Sequence, residues 1–115
     1  KAFSKDLMAK YNIPTAEYRV FHSADEAKKY IRGKGPLVVK ADGLAAGKGV
    51  VVCATLDEGE KAVRDILDDR VHGEAGTAVV IEEFMSGEEV SLFSICDGRS
   101  FVSLVPVLLR PMPRR

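Results

Sequence analysis

The sequence predicts an α+β fold, a largely antiparallel sheet with helices packed on one face. Three observations carry the prediction. Short β-branched runs follow one another through connections too short for a crossover helix, as in Leu37 to Ala41 and Val50 to Ala54, or Val90 to Cys96 and Phe101 to Leu104. Two [ST]-x-x-E sequences, Ser23 with Glu26 and Thr55 with Glu58, each open a helical apolar stripe. Of the 115 residues, 46% are hydrophobic and 30% charged, the balance of a folded domain rather than a disordered tail.

The elements follow in order. Residues 2–11 read as a helix with Phe3, Leu7 and Tyr11 on one apolar face, ended at Asn12-Ile13-Pro14 because the residue before proline is pushed away from helical angles. Glu17 to Phe21 is a short strand. Residues 24–32 form a helix on Ala27, Tyr30 and Ile31, and Gly33-Lys34-Gly35-Pro36 turns the chain. Strands over Leu37 to Ala41 and Val50 to Ala54 flank a glycine-rich loop. The helix opened by Thr55 runs to about Asp69 with Ala62, Val63, Ile66 and Leu67 inward, and residues 70–77 are loop. Ala78 to Phe84 and Val90 to Cys96 are strands, and Asp97-Gly98 makes a tight hairpin into Phe101 to Leu104. The prolines of Val105 to Arg115 keep that stretch out of a central strand.

Zero formal net charge gives no polyanion-binding surface, so neither nucleic acid nor anionic membrane is an expected partner. No apolar run reaches transmembrane length and no leader opens the chain, so the expected compartment is the cytoplasm. Cys53 and Cys96 read as reduced, partly buried thiols. His22 and His72 have no partners at metal-ligand spacing, no serine sits in a nucleophile elbow, and no metal ligand is inferred.

The informative stretch is Val38-Val39-Lys40-Ala41-Asp42-Gly43-Leu44-Ala45-Ala46-Gly47-Lys48-Gly49-Val50. Its glycines let backbone N–H groups crowd a phosphate, and Lys40 and Lys48 supply counter-charge. The loop joins two strands and launches no helix. The Gly43 to Gly47 spacing is one residue short of a Walker loop, and Gly49 stands where its Ser or Thr belongs. What remains is a glycine hairpin able to close over a polyphosphate. Lys40, ending an apolar strand, reads alone as a solvated strand end; beside the loop it reads as a phosphate ligand. Glu82 and Glu83 point to opposite faces of a strand, which excludes a paired-carboxylate acid/base site. Where the strand leaves the sheet at Phe84, main-chain groups and a carboxylate can meet the edge of a base, and Glu88-Glu89 can accept from ribose hydroxyls. Taken alone, these carboxylates read as solvated charges.

With those residues assembled, the chain resembles the ATP-grasp region of the glycinamide ribonucleotide synthetase (phosphoribosylamine–glycine ligase) family from Lys1 to about Leu104. The likeness rests on Lys1-Ala2-Phe3, Ile13-Pro14-Thr15-Ala16, the Val39 to Val50 run, Glu82-Glu83 before Phe84, and Gly87-Glu88-Glu89-Val90-Ser91. The resemblance implies an ATP-grasp small (lid) lobe. Residues 1–17 are its entry helix and linker, 18–90 the lid lobe, 91–104 the start of the second lobe, and 105–115 a divergent or unstructured tail. It implies ATP as the bound nucleotide, with Lys1 and Lys40 on phosphate oxygens and Gly43, Gly47, Lys48 and Gly49 in the lid loop. Glu82 would face the adenine amino group beside Glu83 and the main chain near Phe84, and Glu89 the ribose. The implied reaction activates glycine as an acyl phosphate, which phosphoribosylamine attacks to give glycinamide ribonucleotide, ADP and phosphate on the purine route. Mg2+ is expected for the complete enzyme, on ligands this chain lacks.

After Leu104 the family pattern, a Gln-Asp-His-Lys-Arg stretch, is replaced by Val107 to Arg115, so the expectation is a truncated, inactive fragment. Two other readings stay open on the sequence. One is another ATP-grasp carboxylate–amine ligase or a biotin carboxylase-like enzyme; the other is a non-catalytic nucleotide-binding module.

Overall fold

The computed structural model describes residues 1–109. The chain divides into two compact units, Lys1–Met85 and Ser86–Arg115. The first contains α1 (Ala2–Lys10), β1 (Tyr18–Phe21), α2 (Ala24–Ile31), β2 (Leu37–Ala41), β3 (Val50–Cys53), α3 (Leu56–Leu67), a single 3-10 turn at Gly73–Gly76, and β4 (Val79–Glu83). Its four strands form one antiparallel sheet in the order β1-β4-β2-β3. The 3-10 turn interrupts what the sequence presents as plain loop.

The alternation of β2 explains the two faces of the sheet. Leu37, Val39 and Ala41 are buried, whereas Val38 and Lys40 are half-buried on the opposite side. The buried set meets α2 and α3 through Ala27, Ile31, Val63 and Ile66, joined by Val79 and Ile81 of β4. Fully burying a Val or Ile side chain contributes roughly 1.5–3 kcal/mol, so this layer holds the unit together. Thr55 caps α3 as its sequence predicts: Oγ1 accepts from the Glu58 N–H at 3.3 Å, and Glu58 Oε2 accepts in return from the Ala54 N–H at 2.7 Å. The corresponding box at Ser23 does not form. Ser23 stands at the N-cap of α2 in an extended conformation, but its side chain makes no capping hydrogen bond.

A second difference concerns α1. Its apolar stripe does not face the core, since Phe3, Leu7 and Tyr11 are 78%, 43% and 63% exposed. The residue this helix buries is Lys5. The reason is electrostatic: α1 presents Lys5 to Glu82, on the side of the sheet away from α2 and α3.

The second unit is built from short strands: β5 (Glu89–Ser91), β6 (Ser94–Cys96), β7 (Phe101–Ser103) and β8 (Val107–Leu109). The single strand expected from Val90 to Cys96 is split at Leu92-Phe93. Its halves take different partners, β5 pairing with β8 and β6 with β7, and the Leu104 N–H bonds the Phe93 carbonyl at the break. The expected hairpin at Asp97-Gly98 is present. Asp97 Oδ1 accepts from the Arg99 and Ser100 N–H groups at 2.9 and 2.8 Å, an Asx turn that fixes the reversal. Within the stretch expected to be divergent or unstructured, Val107–Leu109 forms a strand; the rest of that expectation, residues 110–115, lies outside the described residues.

Candidate functional site

The glycine loop connects β2 to β3. Its tip is a tight turn in which the Lys48 N–H donates to the Ala45 carbonyl at 2.9 Å. Ala46 and Gly47, the central pair, have φ of 51° and 75°. Two successive positive φ values mark the turn type that matches the twist of a hairpin, and Gly47 adopts its value without steric cost. The base of the loop is held tightly. A Cβ on Gly43 would meet Ala75 Cα at 2.6 Å, and one on Gly49 would meet Ala45 Cβ at 2.8 Å. Both glycines are therefore required by close approach, and the loop closes over a hollow lined by Lys1, Leu44, Ala45, Gly47, Gly49 and Val50. Lys48 is exposed on this loop.

Lys1 belongs to the hollow's wall. Its Nζ donates to the Ala41 and Gly43 carbonyls at 2.6 and 2.7 Å, tying the start of α1 to the base of the loop. Asp42 completes that junction by accepting from the Ala2 N–H at 2.6 Å. This bond holds the Asp42 carboxyl below its ordinary value.

Lys40 pairs across the hairpin with Val50, so its side chain leaves the sheet on the face that carries the hollow. The ammonium is turned to Glu82, Nζ to Oε2 2.8 Å. Glu82 lies two residues from Lys40's cross-strand partner Val80, on the same face. Its other oxygen, Oε1, is 3.2 Å from Lys5 Nζ. Lys5 also donates to Thr15 Oγ1 at 2.6 Å and faces the Tyr18 ring at 5.6 Å. The result is a carboxylate between two ammonium groups, with side-chain exposures of 10% for Lys5, 9% for Glu82 and 26% for Lys40. Lys5 is the residue that sequence reasoning missed. Lysine is a surface residue by default, and only the docking of α1 reveals this one as buried.

Glu83 points the other way and is exposed. Its N–H donates to the Glu17 carbonyl at 2.9 Å while its Oε1 accepts from the Glu17 N–H at 3.0 Å, so it extends the pairing of β1 with β4. The ladder ends there, and Phe84 and Met85 run on exposed. A shallow pocket lined by Tyr30, Lys34, Pro36, Leu37, Glu82 and Glu83 opens at this end of the sheet. Glu89 belongs to the second unit, exposed on β5. The structure therefore brings Lys1, Gly47 and Gly49 together around one hollow, ties Gly43 to Lys1 through its carbonyl, and couples Lys40 to Glu82 on the same face of the sheet. Glu83 is committed to the backbone of Glu17.

Among the described residues, no three or more His, Cys, Asp or Glu side chains converge. Cys53 is buried, and that burial, with the Glu58 charge adding to it, pushes its thiol pKa up; Cys96 is exposed, against the expectation of partial burial. His22 is exposed and His72 half-buried beside the 3-10 turn. No helix among the described residues is long and apolar enough to cross a membrane.

Comparison with known proteins gives one direction. Residues 1–108 match the family model for the phosphoribosylglycinamide synthetase ATP-grasp (A) domain. A phosphoribosylamine–glycine ligase of Haemophilus influenzae is 57% identical over 101 residues, covering 87% of this chain and 24% of the relative. The crystal structure of the phosphoribosylamine–glycine ligase of Thermotoga maritima superposes with a TM-score of 0.82 at 33% identity, over 91% of this chain and 27% of that one. D-alanyl-alanine synthetase A of Vibrio cholerae shares the fold, with a TM-score of 0.74 at 18% identity over 96% of this chain and 33% of that one. The chain spans about a quarter of the length of the curated relatives it matches (24% of the Haemophilus protein).

Proposed function

The chain belongs to the phosphoribosylglycinamide synthetase ATP-grasp (A) domain family, and on that premise we propose that it supplies the ATP-binding part of a cytoplasmic ligase joining glycine to phosphoribosylamine. The products are glycinamide ribonucleotide, ADP and phosphate. The observation that carries the reading is the glycine hairpin closing over a hollow walled by Lys1, with Lys40 leaving the sheet on the same face. A glycine loop with an ammonium group at its base, and a second ammonium leaving the sheet on the same face, suit an anion with several oxygens, and a triphosphate is such an anion.

In this reading Lys1 and Lys40 take phosphate oxygens, and Gly43, Gly47, Lys48 and Gly49 form the lid above them. Glu82 and the main chain near Phe84, beside Glu83, address the adenine edge, and Glu89 the ribose. Residues 18–90 make the lid lobe, entered through residues 1–17, and residues 91–104 begin the second lobe. ATP turns the glycine carboxylate into an acyl phosphate, and the amine of phosphoribosylamine displaces phosphate from it. Mg2+ supplies charge neutralisation in the complete enzyme, on ligands outside the described residues. The chain's own part is to bind and orient the nucleotide and exclude water from the transferred phosphoryl group, contributions that need no proton transfer.

The test is ADP release by the complete protein with ATP, phosphoribosylamine and either glycine or bicarbonate. Glycine-dependent turnover is expected. Turnover with bicarbonate and none with glycine rejects the assignment in favour of a biotin carboxylase-like reaction.

A further inference from the structure

We propose that Lys5 is a positioning residue that keeps Glu82 paired so that Lys40 is free to move from Glu82 to an anionic oxygen of the nucleotide. The proposal rests on the ATP-binding reading for the identity of that anion. Its basis is the unequal commitment of the two lysines.

Lys5 is fastened on several sides. Its Nζ meets Glu82 Oε1 at 3.2 Å, Thr15 Oγ1 at 2.6 Å and the Ala16 carbonyl at 3.4 Å, and its side chain is 10% exposed. Lys40 is held at one point. Among the described residues its ammonium has Glu82 Oε2 as its polar partner, at 2.8 Å, and its side chain is 26% exposed. An ammonium carries three donors, so two remain for a ligand or for water.

The charge count gives the consequence. Glu82 with Lys40 alone would be a neutral pair, and pulling Lys40 toward a phosphate would strand a buried carboxylate, which is strongly unfavourable. With Lys5 present the cluster carries one net positive charge. Lys40 can then exchange partners while Glu82 keeps its other oxygen on Lys5. Lys5 need not touch the nucleotide for this; it lowers the cost of the exchange.

The full chain tests this in two ways. The first needs no nucleotide. If the lysines are alternative partners of Glu82, Lys5→Met and Lys40→Met each shift the urea midpoint modestly, by about 0.5 M, and together shift it by clearly more than the sum. In a Glu82→Gln background that excess disappears. Strictly additive losses in the Glu82 chain overturn the proposal. If Lys5→Met fails to fold, Lys5→Gln, which can still donate to Thr15 without a charge, takes its place.

The second measurement is calorimetric titration with ATP. Lys5→Met is expected to weaken ATP about ten-fold in the Glu82 chain and less than about two-fold in the Glu82→Gln chain, with Lys5→Arg restoring wild-type affinity. A merely structural Lys5 would give the same loss in both backgrounds, and that result overturns the proposal. If the variants show the excess in urea but the wild-type chain takes up no ATP, the nucleotide reading fails and the pairing role of Lys5 stands.

Discussion

Lys40 Nζ stands 2.8 Å from Glu82 Oε2, across two adjacent strands and on the side of the sheet away from α2 and α3. Lys40 is not among the residues that line the hollow, but it leaves the sheet on the face opposite the α2–α3 layer. It shares its side of the hairpin with Val50, which lines the hollow, and it is parked on a carboxylate. Glu82 therefore fixes where the Lys40 charge rests.

Replacing Lys40 by alanine should weaken ATP binding ten-fold or more, the scale of one charge-assisted hydrogen bond. Lys61 is the control. It is exposed on α3, paired with Asp65 on the opposite side of the sheet, and Lys61→Ala should change affinity less than about two-fold. Calorimetric titration of the two variants separates the cases. Equal losses would remove Lys40 from the site.

Three glycines should rank in stability according to what surrounds them. Gly43→Ala drives a methyl to 2.6 Å from Ala75 Cα, a clash with backbone that should cost about 1–3 kcal/mol. Gly47→Ala meets open space but keeps a φ of 75°, for a cost of roughly 1–2 kcal/mol. Gly35→Ala meets neither obstacle and should stabilise by about 0.4–1 kcal/mol through the unfolded chain. Urea unfolding reads all three. A Gly35 variant as damaged as the Gly43 variant would contradict this account of the loop.

The parts of this architecture that are legible in the sequence are those set by local rules. Thr55 with Glu58 specifies the start of α3, and the short apolar run from Leu37 to Ala41 specifies β2. The glycine loop is legible because its residues serve its own backbone. What is not legible depends on pairing between distant segments. Nothing local to Lys5 distinguishes it from Lys10, the other lysine of α1; its burial comes from Glu82, which only the β2–β4 register brings beside Lys40. The stripe of Phe3, Leu7 and Tyr11 predicts an inward face that α1 does not use. Likewise, the run from Val90 to Cys96 is uniformly strand-forming, and its division follows from two different partners, β8 and β7.

The two thiols should differ sharply in reactivity. Cys53 is 1% exposed and its thiol is pushed up in pKa by that burial, whereas Cys96 is exposed. The thiolate is the reacting species, so an aromatic disulfide reagent at pH 8 should label Cys96 rapidly and Cys53 only on the timescale of unfolding. Cys96→Ser should then abolish the fast phase. Two equally fast thiols would show that the β2–β3 layer over α3 is not closed.

The junction between α1 and the loop predicts a pH dependence of known sign. Asp42 accepts the Ala2 N–H at 2.6 Å, and that bond lowers its carboxyl below the ordinary 3.8. Because the folded pKa is depressed, folding favours the ionised form. The stabilisation is complete above the unfolded value and is lost as the pH falls through the folded one. Asp42→Ala should cost about 1 kcal/mol at pH 7, the scale of a helix N-terminal cap. The gap between wild type and variant should stay flat from pH 8 to about pH 5 and narrow below about pH 4, as the wild-type carboxyl itself protonates. Urea unfolding of both proteins across that range measures the gap directly. A difference that persists undiminished at about pH 3 would mean that Asp42 acts by packing rather than by charge, and that Lys1 alone ties α1 to the glycine loop.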